Sequence, residues 1–262
     1  MKNLELKVIE PPYFSNWGDI FFPKLANKLL PYAASIKFLT PNMVTVISFL
    51  LYTLGSIFLF VNTPYHLFIT AILLPFSYIL DCLDGQLARV TKRSSNIGDY
   101  LDKVLDVLKI YVITLSLSYA VYLQVGGIWP FVLGFTACFF FNFRYYIKLE
   151  SVFNRVSKIP DYLTKSRELR LDLYEEKGAL YKKLQKTFLG KLQTFWYWNR
   201  TIFFVDEAEF VIFVALGALF KQLLLVLVVL ALSQAAIGVF RFFERGYQIH
   251  TSSDRLFWPL RK

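Results

Sequence analysis

The chain has 262 residues, of which 56% are hydrophobic, 27 are phenylalanine and only 18% are charged, against about a quarter charged in ordinary soluble domains. Its 29 lysines and arginines outnumber its 19 acids, for a net charge of +10. This balance speaks against a soluble enzyme, a nucleic-acid module or a disordered chain, and describes a polytopic membrane protein with one domain over residues 1–262. Apolar runs separate the basic residues, so a membrane surface or an anionic substrate suits them and nucleic acid does not.

The N-terminal 40 residues lack the continuous apolar core of a signal peptide, and residues 14–38 hold the first candidate helix. Trp17, Phe21, Leu25 and Leu29 recur at helical spacing beside Lys24 and Lys28, which predicts an interfacial amphipathic helix interrupted near Pro23 and Pro31. From Asn42 onward six transmembrane helices are expected, at 43–61, 65–83, 101–123, 128–146, 203–220 and 223–243, each close to the roughly 20 residues a bilayer requires. Residues 149–200, with eleven Lys/Arg against six Asp/Glu, form the one sizeable polar segment. Leu173, Leu180, Leu184 and Phe188 keep a helical stripe within it, and Phe195, Trp196, Tyr197 and Trp198 read as an aromatic belt at the headgroups. This cytoplasmic helical insertion either lies on the membrane or forms a soluble hairpin. The fold class is therefore all-α membrane protein, without an internal repeat.

With the N-terminus inside, 26 of the 29 basic residues fall on the cytoplasmic side, which places both termini in the cytoplasm. Cys82 and Cys138 lie in apolar segments and suggest neither a disulfide framework nor zinc. His66 and His250 have no partner in any motif.

Four aspartates stand where a membrane chain least tolerates them: Asp81 and Asp84 close the second span, and Asp102 and Asp106 open the third. Each costs about 2.5 to 3.5 kcal/mol at mid-bilayer, so they must face water, a cation, or both. The first pair is spaced i, i+3 and the second i, i+4, so each projects from one helix face. Two adjacent helices can then bring four carboxylates to one point. Hard oxygen ligands without His or Cys favour magnesium, manganese or calcium. Gly85 admits close approach, Ala88 keeps the face clear, and Arg89 offers a fork for phosphate. A metal-assisted phosphoryl-transfer site at the cytoplasmic boundary is the expectation. Helix-end capping accounts for Asp99, paired with Lys103, but not for Asp81 or Asp106 inside apolar helices.

Asp81, Asp84, Gly85, Ala88, Arg89, Gly98, Asp102 and Asp106 reproduce D-x2-D-G-x2-A-R-x8-G-x3-D-x3-D, so the chain resembles the CDP-alcohol phosphatidyltransferases at eight fixed positions in 26 residues. Thr40, Pro41, Asn42 and Thr45 look like the TPNxxT segment before that family's first span. The resemblance covers residues 14–147 and 203–243, while 149–200 is longer than the family's usual connection. It implies a centre of two divalent cations, Mg2+ or Mn2+, held by Asp81, Asp84, Asp102 and Asp106, with Asp106 also the general base. It further implies that Asn42, Thr45, Asp84, Gly85, Ala88, Arg89 and Gly98 bind the CDP moiety, and that the chain forms a homodimer. The donor would be CDP-diacylglycerol, its acyl chains among membrane lipid and helices, and the acceptor a small alcohol, with CMP released. Transfer of a headgroup from a soluble CDP-alcohol to diacylglycerol is the alternative.

Arg144, Lys148, Arg200, Arg241 and Arg245 could bind a phosphorylated acceptor or act as positive-inside anchors. Asp206, Glu207 and Glu209 at the start of the fifth span fit either first-turn capping or recognition of an acceptor amine or hydroxyl. Lys103 and Lys109 are expected to balance the aspartates. An intramembrane prenyltransferase would separate its acidic motifs more widely, and a transporter or ion channel would not account for Gly85, Ala88, Arg89 and Gly98.

Overall fold

A computed structural model describes residues 17–36, 38–61, 63–157, 161–162 and 205–251. Arg200, the aromatic run at 195–198 and most of the predicted 149–200 insertion lie outside the described residues. Among the described residues every regular element is a helix: α1 (Trp17–Ser35), α2 (Pro41–Ile57), α3 (His66–Thr91), α4 (Asn96–Val125), α5 (Trp129–Val156), α6 (Glu207–Leu219) and α7 (Leu223–Thr251).

Local chemistry sets the ends that matter for function. Thr40 and Ser95 are extended N-cap residues whose hydroxyls accept from the backbone N–H three residues on, Met43 at 3.3 Å and Gly98 at 3.1 Å. Pro41 takes the first helical position of α2, where its missing N–H costs nothing. α3 stops at Lys92, which sits at φ 54° while the N–H of Arg93 reaches the Ala88 carbonyl at 3.0 Å. The chain then turns through 92–95 into α4.

His66–Thr91, Asn96–Val125 and Leu223–Tyr247 are long and apolar enough to cross a membrane. The described residues thus form an all-helical membrane protein domain. α2 and α6, at 17 and 13 residues, reach only about 26 and 20 Å, short of the roughly 30 Å hydrocarbon core. α3 runs past the expected boundary at 83 to Thr91, and α5 runs past 146 to Val156, so the polar segment begins as a continuation of α5.

α1 departs from expectation in two ways. It is one uninterrupted helix with Pro23 and Pro31 inside it. Its protein-facing side is Phe22, Ala26, Leu30 and Ala33, one position away from the expected stripe, and Phe21 is exposed. Periodicity marks a neighbouring face, on which Phe21 is exposed while Leu29 packs partly against the protein. The buried face packs on the ends of α2 and α3 through Val44, Leu83 and Leu87, and the Gln86 amide donates to the Pro23 carbonyl at 3.0 Å.

α2 packs against both α3 and α4, α3 also against α6, and α5 against α4 and α7. The main core joins Tyr52, Leu74, Ile113, Leu117, Phe210, Val214, Leu227 and Leu230. Gly55 lets α2 and α3 approach: a Cβ there would stand 3.0 Å from that of Leu73, and the Thr70 hydroxyl donates to the Gly55 carbonyl at 2.9 Å. α2 thereby becomes a floor beneath the facing ends of α3 and α4.

Candidate active site

The two helices joined by the 92–95 turn place their acids at matching distances from it. Asp81 lies ten residues before the end of α3 and Asp106 ten residues after the start of α4, so each stands about 15 Å from the connecting turn. The structure brings one carboxylate oxygen each from Asp81, Asp102 and Asp106 within 4.8 Å of one another. Oxygens around one Mg2+ stand about 3.0 Å apart when cis and about 4.2 Å apart when trans, so the trio would draw closer together to share a single cation. Among the described residues the converging ligand atoms are hard carboxylate oxygens, and this set fits a divalent cation such as Mg2+ or Mn2+.

Asp84 stands outside that trio. Its buried carboxylate accepts from the Thr45 hydroxyl of α2 at 2.5 Å. Ser48, one turn further along α2, donates to Asp81 at 3.2 Å. Two residues of α2 thus orient the two acids of α3. Thr45, Ser48 and Tyr52 form a buried polar stripe at helical spacing in an otherwise apolar helix. That stripe was visible in the sequence, but only Thr45 was singled out.

Lys109 is almost wholly buried, and its ammonium donates to Asp81 at 2.5 Å and to Asp106 at 2.8 Å. Glu207, the first residue of α6, places Oε1 at 3.7 Å from the same ammonium. Sequence reasoning had treated Glu207 as a capping or acceptor residue and had not joined it to this cluster. Lys103 does not share the task expected of it; it pairs with Asp99 on the exposed side of α4. Such an exposed i, i+4 pair contributes little.

The residues expected to meet the CDP moiety gather near the same helix ends. A Cβ on Gly98 would stand 2.7 Å from Asn42 Oδ1, so Gly98 lets the start of α4 close on the start of α2. One on Gly85 would meet Arg89 Nη1 at 3.4 Å, which places the exposed Arg89 guanidinium alongside the bare Gly85 surface. Ala88 lies on the same helix, partly exposed.

Two of the candidate acceptor residues, Arg144 and Arg241, have other partners. Arg144 donates to Asp206 at 2.6 Å and to the Val205 carbonyl at 3.3 Å, joining α5 to the start of α6. Arg241 pairs with Glu244 at 2.5 Å, and Lys148 is exposed. Asp206 and Glu209 form a reciprocal capping box, with Glu209 receiving the N–H of Asp206 and that of Gly18, each at 3.2 Å. Of the two readings for the acids at this end, capping accounts for Asp206 and Glu209.

Fold and site together define a helical membrane protein with a carboxylate centre between its helices. Residues 38–164 match the CDP-alcohol phosphatidyltransferase family, and this stretch of the chain is a domain of that family. Over 92 residues the chain is 36% identical to the bifunctional IPC transferase and DIPP synthase of Thermococcus kodakarensis, a match covering 34% of this chain and 20% of that protein. Over 70 residues it is 37% identical to the archaetidylinositol phosphate synthase of Pyrococcus horikoshii, covering 27% of this chain and 36% of that one. The chain therefore spans well under half the length of these curated relatives. Its fold is similar to the crystal structure of Mycobacterium tuberculosis phosphatidylinositol phosphate synthase with CDP-DAG bound, at TM-score 0.51 and 16% identity, over 92% of this chain and 98% of that one.

Proposed function

We propose that the chain transfers a phosphatidyl group from CDP-diacylglycerol to the hydroxyl of a small alcohol or phosphorylated alcohol and releases CMP. The convergence of Asp81, Asp102 and Asp106, with Asp84 anchored to Thr45, is the observation that carries this reading. Two divalent cations on these carboxylates would neutralise the pyrophosphate and the charge that moves onto departing CMP. Asp106 accepts the proton of the acceptor hydroxyl as its oxygen bonds to the lipid-linked phosphorus and the bond from that phosphorus to CMP breaks. Arg89 supplies a fork of donors to a phosphate, while Gly85, Ala88 and Gly98 leave room for the nucleotide beside Asn42 and Thr45.

In this proposal α2 and α6, though short, complete a six-span arrangement with α3, α4, α5 and α7, α1 lies at the interface, both termini face the cytoplasm, and a homodimer forms through membrane helices. The names of the curated relatives make inositol phosphate the first acceptor to try. Arg144, Lys148 and Arg241 remain candidates for its phosphate, together with Arg200 outside the described residues. The test incubates purified chain with CDP-diacylglycerol, Mg2+ or Mn2+ and, in separate reactions, inositol phosphate, glycerol phosphate, serine and inositol, following CMP. Release with one acceptor is expected. Release only from a soluble CDP-alcohol with diacylglycerol would move the chain to that branch, and no release with any pair would overturn the enzymatic reading.

A further inference from the structure

We propose that Lys109 is a resident counter-ion which yields its place among the aspartates to a divalent cation by moving onto Glu207, so that this pair sets how tightly the centre holds metal. The inference rests on the metal-dependent reading above and assigns a task to two residues outside the family motif.

Three observations carry it. The ammonium of Lys109 contacts Asp81 and Asp106, two of the three residues whose oxygens converge. A divalent cation on those carboxylates would meet a like charge at close range in a poorly screened setting, so the ammonium must withdraw. Its side chain is only 2% exposed, which closes the route to water, and any withdrawal ends on another buried group. Glu207 Oε1 is that group: it is shielded from solvent, has no hydrogen-bond partner among the described residues, and lies 3.7 Å from the ammonium. A shift of about one ångström, well within the freedom of a four-carbon stem, converts this distance into a charge-assisted hydrogen bond. The shift satisfies an orphaned carboxylate oxygen as it vacates the metal position. Lys109 and Glu207 are positioning residues, since each acts through Asp81 and Asp106.

The test measures Mn2+ binding to the full chain in detergent, by the electron paramagnetic resonance of free Mn2+, for wild type, Lys109→Met, Glu207→Gln and the double variant. Changes around a metal site typically alter affinity by about 10- to 100-fold. Lys109→Met is expected to bind Mn2+ at least about tenfold more tightly and Glu207→Gln about tenfold more weakly than wild type, while the double variant matches Lys109→Met. Unchanged or weaker binding in Lys109→Met overturns the proposal. So does an equal loss on Glu207→Gln with or without Lys109, which would make Glu207 a direct ligand or a simple charge. If Glu207→Gln alone does not yield a monodisperse protein, the comparison of Lys109→Met with the double variant still decides. Asp102→Asn separates the two levels: full Mn2+ binding in that variant defeats the metal reading itself, whereas its loss beside unaltered Lys109 and Glu207 variants defeats only this inference.

Discussion

Asp106 carries two duties, as a carboxylate of the converging trio and as the proposed acceptor of the substrate proton. Asp106→Asn keeps the size and one acceptor oxygen but cannot take that proton, so CMP release should fall by about 10²- to 10⁴-fold. Lys109 keeps Asp81 as a partner in that variant, so the protein should remain folded, as monodispersity in detergent will show. Full activity in Asp106→Asn would remove it from the chemistry. Thr45 offers a second test, because Thr45→Val preserves shape and removes the donor to the buried Asp84 carboxylate. Removing a donor from a buried acceptor costs about 1 to 3 kcal/mol, so the free energy of unfolding in denaturant should fall by that amount. The aspartates were legible because acids inside apolar helices contradict their surroundings. Glu207 was not, because an acid at the first position of a helix has an ordinary local explanation that conceals a tertiary one.

Helices position these groups, and their contacts can be tested apart from the chemistry. Gly98 marks where the starts of α2 and α4 meet, and a side chain there collides with Asn42. Gly98→Leu should separate these ends at a cost of about 1 to 3 kcal/mol and lower kcat/KM for the CDP substrate about tenfold or more. Asp206→Ala removes a cap and the partner of Arg144, with an expected stability loss of about 0.5 to 2 kcal/mol and little change in CMP release. If activity vanished while the fold persisted, Asp206 would instead belong to the acceptor. The starts of α2 and α4 were readable from Thr40, Pro41 and Ser95, since caps are local. The orientation of α1 was not, because a helix with apolar residues on two adjacent faces can bury either one, and periodicity does not distinguish them.

At the scale of the whole molecule, the basic excess and the acidic centre make separate predictions. A cysteine at position 175, in a chain lacking Cys82 and Cys138, should react with an impermeant maleimide only after the cytoplasmic side is opened. Labelling from outside intact cells would invert the proposed orientation. Chelation should stop CMP release while leaving the protein monodisperse, and Mg2+ or Mn2+ should restore it. Composition pointed to the membrane class and the motif to the facing ends of α3 and α4. What composition could not supply was depth: α2 and α6 are short helices whose polar groups reach the centre from opposite sides of the sequence.

Lys109 also bears on how such a chain enters a bilayer. α3 and α4 arrive as consecutive segments joined by a four-residue turn at 92–95, and they bring several carboxylates into an apolar medium. Because Lys109 belongs to α4 itself, the pair carries a partly compensating charge from the moment of insertion, some hundred residues before Glu207 leaves the ribosome. During synthesis this ammonium is a travelling chaperone for Asp81 and Asp106, lowering the penalty of membrane entry before metal or α6 can contribute.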